Sequence, residues 1–347
     1  MRRFFVPLIA ALGLLAATAW AGAWLSTPAT DDASSFVVVA GEKTDVIIAH
    51  LKEKGIVRSA TLFKMALAKS GLSTKLQPGT YDLRYAVDFD GVIRKLAAGG
   101  VAANEKVLLV KEGWNLRDIN DALTKLGFAG GDLYRVTGMP AVDARTYNSD
   151  KAPRAKDFSS DFPFLKDKPL YVSLEGFLFP DTYRLFKDAT AEQVTRKMLE
   201  NFDRKLTPEL RERIAAQKRT VFEVVTLASV IEREVQADDD RRKVADIFWR
   251  RLERGMALQA DSTVNYATGK GLASVTLDDT KYVSPYNTYK YPGLPLGPIC
   301  NPGLSAIEAA VSPTPNDAWF FLTGKNGKVY YARTLQEHVS NKAKYMR

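Results

Sequence analysis

Apolar residues recur along this chain in two rhythms, and the stretches that follow neither rhythm mark its joints. The clearest helical rhythm opens at Thr220, with Glu223 three residues later at capping-box spacing. Val221, Val225, Ala228 and Glu232 then fall at i, i+4, i+7 and i+11, so an acid ends an otherwise apolar stripe. Glu234 lies roughly 200° further around the helix and points elsewhere. A carboxyl group with aliphatic neighbours one and two turns back is partly desolvated, which raises its pKa. Such a glutamic acid keeps its proton near neutral pH and suits general acid chemistry. The same position also suits a carboxylate paired with a lysine or arginine at the helix surface. Periodicity by itself favours the ion pair.

Before that helix, Phe36 to Val39 reads as a strand, and Asp45 to Gly55 and Ser59 to Gly71 as helices stopped by glycine. Pro78-Gly79 turns into a second strand near Leu83, and Gly91 to Gly100 closes the segment as a third helix. This strand, helix, helix, strand order resembles a LysM-like module, whose usual ligand is the glycan of peptidoglycan. A generic small α+β domain accounts for the pattern equally well. His50 sits near a helix end and reads as structural. Lys106 to Val110 is strand-like, and Glu112 to Leu123 enters a helix. Asn148 to Lys168, polar and rich in charge, predicts a surface excursion. Leu174 to Arg184 packs aromatics beside Glu175, Asp181 and Arg184, which suits either a sugar-stacking groove or a buried aromatic turn with an ion pair. Thr190 to Leu206 predicts a helix.

Beyond the Thr220 helix, Asp238-Asp-Asp240 predicts an N-cap and an acidic first turn for a helix ending at Arg254-Gly255. Its inner stripe is Val244, Ile247, Phe248 and Leu252. Ser284 to Gly303 carries too much proline and glycine for helix or strand through most of its length, and a long ordered loop of this kind is usually a binding surface. A helix from Ser305 to Val311, a hairpin around Gly324 to Gly327 and a last helix from Thr334 to Lys344 complete the chain.

At the other end, Arg2 and Arg3 precede an uncharged run from Phe4 to Leu25, longer than the roughly 20 residues a membrane-crossing helix needs. Trp20 and Trp24 suit an interfacial aromatic belt. Ala17-Thr-Ala19 resembles a signal cleavage site, but the apolar run continues past it, which favours a retained anchor. Ser26 to Ser35 reads as a flexible tether. With the arginines inside, all later residues lie outside the cytoplasm.

The net charge of +9 is compatible with nucleic acid, an anionic membrane surface or an acidic polymer. The basic residues are scattered and no nucleic-acid motif accompanies them, so no nucleic-acid partner is expected. One cysteine, Cys300, excludes an internal disulfide and a Cys-based zinc site, and His50 and His338 are too few and too separated for a His-rich metal site. Gly269-Lys-Gly lacks the remainder of a phosphate loop. No cofactor and no metal are expected.

Several strings, taken in order, resemble the YceG/MltG family of membrane-anchored endolytic murein transglycosylases. They are Glu175-Gly-Phe-Leu-Phe-Pro-Asp-Thr-Tyr183, Leu227-Ala-Ser-Val-Ile-Glu-Arg-Glu234, Leu258-Gln-Ala-Asp-Ser-Thr-Val264, Tyr286-Asn-Thr-Tyr289, and the run from Gly293 to Gly303. Ala306-Ile and Thr334-Leu-Gln-Glu-His338 extend the likeness to the C-terminus. Ala260 and Ser262 stand where the family usually has Ser and Pro, and Leu296 replaces a common proline; none of these changes removes an acid. The resemblance implies an α+β chain: a transmembrane anchor over 1–25, a linker over 26–35, a LysM-like module over 36–103 and a larger mixed α/β catalytic domain over 104–347. It implies Glu232 as the catalytic acid. It makes Gln259, Asp261, Tyr286, Asn287 and Asn301, with Glu175 more weakly, candidates for positioning sugars or bracing the loop. It implies peptidoglycan strands as substrate, the inner membrane as location with the catalytic domain on the periplasmic side, and peptidoglycan synthases as partners. The alternatives are a non-catalytic wall-binding scaffold and a hydrolase using Glu232 and Asp261 as a carboxylate pair.

Overall fold

A computed structural model describes residues 36–81, 83, 88–100, 105–146, 152–271 and 275–346. The expected anchor and tether, and the first residues of the expected excursion, lie outside these. The chain divides into two compact units between Val107 and Leu108; the sequence reading put a boundary after residue 103.

In the first unit, β1 (Phe36–Val38) pairs antiparallel with β2 (Gly79–Tyr81), Phe36 opposite Tyr81. Helices α1 (Thr44–Glu53) and α2 (Ala60–Ser70) lie between them in sequence, and α3 (Phe89–Ala98) follows. Ser59 caps α2 by accepting the Leu62 N–H, and Gly71 ends it at φ 69°, where a Cβ is disfavoured. Helix α3 starts two residues before the expected Gly91 because Asp88 accepts the Gly91 N–H as its cap. Phe63, Leu67, Val92, Ile93 and Leu96 form a buried core, with Phe63 edge-on to Phe89. His50 pairs with Glu42 through Nδ1 at 3.0 Å.

The second unit is mostly helical. Strand β3 (Glu105–Leu109) pairs with β4 (Thr182–Phe186), and α4 (Leu116–Lys125), α5 (Asp132–Thr137), α6 (Ala191–Lys205) and α7 (Pro208–Ala216) surround the pair in sequence. Helix α8 (Val221–Glu234) is the organising element. Its residues from Val224 to Ile231 are all buried, so no face is left for solvent, and α7, α9 (Asp238–Glu253), α10 (Asp261–Thr268) and α11 (Leu304–Val311) pack around it. Both halves of the Thr220–Glu223 capping box are made. The hairpin β5 (Phe320–Thr323) and β6 (Val329–Ala332) and helix α12 (Leu335–Tyr345) end the chain. Residues 284–303 contain neither helix nor strand. Among the described residues no helix is long and apolar enough to cross a membrane.

Three local expectations change. The polar segment before Lys168 is no surface excursion in its described part: Phe158, Phe162, Phe164 and Leu165 enter the core, where Phe164 lies 4.9 Å from Phe202. Its charges are spaced between these rings, so mean polarity hides the buried face. The N-cap of α9 is Ala237, without a side-chain cap, and Asp238 to Asp240 form the first turn instead. The stretch from Leu174 to Phe179 is a buried turn, and its acid is held by neutral donors, with no ion pair among the described residues.

Candidate active site

Glu232 occupies the last turn of α8, and its side chain is 7% exposed. The Arg241 guanidinium, on the first turns of α9, donates to Oε1 at 2.8 Å and is itself only 9% exposed. Both expectations for this acid therefore meet in one place: the ion pair exists, but it is buried. The backbone N–H of Gly303, the residue that caps α11, donates to Oε2 at 3.1 Å. That places the carboxylate at a helix N-terminus, where partial positive charge favours an anion. Gly113 lies against the Glu232 Cγ; a Cβ built on it would sit 3.7 Å away. At Gly303 a Cβ would fall 2.1 Å from the Glu112 carboxylate, so a larger residue there would push that side chain aside. Burial pushes the Glu232 carboxyl above its usual range; Arg241 and the Gly303 N–H pull it back, and the charge of Glu112 pushes it further up. The net direction is upward, toward the protonated form.

The loop that carries Gly303 is pinned to α8 one turn before the acid. Ser229 Oγ accepts the Ile299 N–H at 2.9 Å, and Cys300 Sγ donates to the Ser229 carbonyl. Asn301 continues the clamp. Its backbone exchanges hydrogen bonds with Gly113 and Trp114, its Oδ1 accepts the Leu178 N–H, and its Nδ2 donates to Trp114 O and to Glu175. Glu175 is fully buried and collects further donors from the Leu116 N–H at the start of α4 and from Tyr266 O–H at 3.0 Å. Burial raises its carboxyl to about 8. Tyr286 is also fully buried, its ring edge-on to Tyr266, with no hydrogen-bond partner for its hydroxyl among the described residues. Asn287 is buried as a loop knot: Nδ2 donates to the carbonyls of Thr280 and Tyr282, and Oδ1 accepts the Tyr289 N–H. Four of the six candidates besides Glu232 thus have interior surroundings.

The other two candidates reach solvent. Gln259 is exposed and holds a left-handed backbone at φ 54°, a costly conformation for a side-chain-bearing residue. Its N–H is fixed by Thr288 O, and Arg251 holds the preceding carbonyl of Leu258. Asp261, first residue of α10, accepts the Tyr289 hydroxyl at 2.6 Å. Its neighbour Ser262 donates to Glu234 at 2.7 Å. The last turn of α8 therefore meets two sets of partners, with Arg241, Gly303 and Gly113 on Glu232 and Ser262 on Glu234. Among the described residues no group of three or more His, Cys, Asp or Glu side chains could hold a metal ion.

A family model described as the YceG-like family matches residues 36–344. The chain belongs to the YceG-like family. A relative from Bacillus subtilis named endolytic murein transglycosylase is 32% identical over 330 residues, covering 94% of this chain and 89% of the relative. A protein of the same name from Streptococcus pneumoniae is 31% identical over 317 residues, covering 88% of this chain but 57% of that longer protein. The crystal structure of a YceG-like protein from Listeria monocytogenes matches with a TM-score of 0.57 at 32% identity, covering 88% of this chain and 98% of that one.

Within this YceG-like chain, sequence reasoning missed the immediate partners of Glu232. Arg241 lies nine residues on, beyond a helix break, and only the turn between α8 and α9 brings it back. The Gly303 N–H is a backbone group and leaves no side-chain signal. In the sequence Glu112 reads only as the entry to a helix; its effect on Glu232 depends on the turn that Gly113 makes at φ 77°.

Proposed function

We propose that this chain is a membrane-anchored endolytic lytic transglycosylase that cuts the β-1,4 bond from N-acetylmuramic acid to N-acetylglucosamine inside nascent peptidoglycan strands. The observation that carries this reading is the buried Glu232, raised in pKa and held at Oε1 by Arg241 and at Oε2 by the Gly303 N–H, within the string shared with the family. Glu232 protonates the glycosidic oxygen, and the C6 hydroxyl of the muramic acid attacks its own C1. The resulting carboxylate then accepts the proton of that hydroxyl. The product is a 1,6-anhydromuramyl end, formed without water. Ordinary glycosidases need a second carboxyl to activate water or attack carbon; here the substrate supplies the nucleophile. Arg241 and the Gly303 N–H stabilise the carboxylate between the two proton transfers.

Gln259 and Asp261 contact the sugars from the solvent side in this reading, while Glu175, Tyr286, Asn287 and Asn301 hold the loops that aim them. The first unit serves as a LysM-like glycan-binding module. Phe4 to Leu25 anchors the chain in the cytoplasmic membrane with both units outside, near the peptidoglycan synthases that make its substrate. The test is Glu232→Gln, assayed on purified glycan strands. Loss of cleavage by about 10²–10⁴-fold with an unchanged circular dichroism spectrum is expected; retained cleavage would remove Glu232 from the mechanism.

A further inference from the structure

The segment from Leu277 to Tyr291 exposes large apolar side chains that the chemistry above leaves unused. Tyr282 is 47% exposed and Tyr291 43%, with Leu277 and Val283 more exposed still. The segment is tightly built. Asn287 binds the carbonyls of Thr280 and Tyr282, and its own carbonyl accepts the Tyr291 N–H at 3.0 Å, so both tyrosines spring from one knot. Asp279 fixes the start of the segment through Thr276 and Lys270. The far side of the same knot is bonded to the exposed candidates: Tyr289 O–H to Asp261, and Thr288 to the N–H groups of Gln259 and Ala260. Exposed aromatics on a fixed loop cost little entropy when they bind, because the backbone is already ordered.

We infer that Tyr282 and Tyr291 form a sugar-stacking shelf on the loop bonded to Gln259 and Asp261, which holds pyranose rings of the glycan strand beyond the scissile pair. This rests on the glycan-cleaving reading above. A tyrosine ring offers an apolar face to the axial C–H groups of a pyranose and a hydroxyl to its polar rim, which an aliphatic side chain does not. The occupant is a glycan rather than a lipid surface because the shelf is joined through Tyr289 and Thr288 to the groups placed on the sugars. A lipid or protein surface would draw instead on Leu277 and Val283. Because the shelf grips sugars away from the cut, it favours long strands over short ones.

Binding of purified glycan strands is measured with the full-length chain in detergent, in the Glu232→Gln background so that no strand is consumed. The Tyr282→Ala/Tyr291→Ala pair is expected to weaken binding of long strands roughly tenfold and of short oligosaccharides much less, with both Phe replacements recovering most of the parent affinity through their ring faces. Leu277→Ser/Val283→Ser is expected to bind strands like the parent. Unchanged affinity in the double Ala variant would overturn the shelf, as would failure of the Phe variants or an equal loss in the Leu277/Val283 variant. If the parent binds no strands and the active protein cuts none, the glycan reading itself falls, and the shelf falls with it. In the active protein the double Ala loss is expected in KM, with the advantage of long over short strands erased.

Discussion

At the scale of residues, the acid of this site is tuned by opposing neighbours. Desolvation and Glu112 favour its protonated form, while Arg241 and the Gly303 N–H favour the carboxylate. A general acid must start protonated, so activity falls as pH rises through its pKa. Arg241→Gln removes the positive charge that lowers that pKa, so the alkaline limb of the pH–rate profile is expected to move upward. The same change is expected to destabilise the fold by up to about 3 kcal/mol where Glu232 is ionised, the lower range for breaking a buried pair, and by less once acid protonates that carboxyl. Glu175 gives a second pH effect. Its folded pKa of about 8 lies above the reference 4.5, so its contribution to stability is full below 4.5 and is lost as pH climbs to about 8. Glu175→Gln is expected to lower Tm overall, because its amide N–H₂ meets the Asn301 donor, while flattening Tm against pH in that window. Glu232 was legible as an acid ending an apolar stripe. Its partners were not, since one is a backbone N–H and the other returns only after a turn.

Among the elements, caps and glycine stops told most. Thr190, Thr220 and Thr334 each open a helix with a completed capping box, and Gly71 closes α2 as its pattern predicted. Helices α7 and α10 went unread because they are short, nine and eight residues, and take their stability from packing rather than from a strong apolar stripe. The aromatic turn from Leu174 to Phe179 was legible as two alternatives, and burial chose between them. Gly176 shows how tightly that turn is built. Its φ is 89°, and a Cβ there would lie 2.4 Å from Pro298 Cβ and 3.0 Å from Val225 Cγ1. Gly176→Ala is therefore expected to cost about 2–4 kcal/mol, from the left-handed backbone and the overpacking together. Because Pro298 belongs to the loop that carries Gly303, the same variant is expected to lose activity at temperatures where it is still folded, which thermal melts paired with rate assays would register.

For the molecule as a whole, the two units divide between Val107 and Leu108, and the larger one assembles its site from three segments far apart in sequence: the turn at Gly113, the end of α8 and the loop ending at Gly303. No local pattern could have joined these, because each is tied to the others by backbone carbonyls and amides. What the family strings carried was their order along the chain. The central claim is that one carboxyl suffices because the strand attacks itself, and it is tested most directly by weighing what the protein makes. Purified, uncrosslinked glycan strands are digested with the full-length chain and the new ends identified by mass spectrometry. Ends lighter than ordinary reducing ends by one water, appearing from internal cuts and absent with Glu232→Gln, are the predicted result. Reducing ends carrying that water would contradict the account and return the site to a two-carboxylate hydrolase, and intact strands would leave it no chemistry at all.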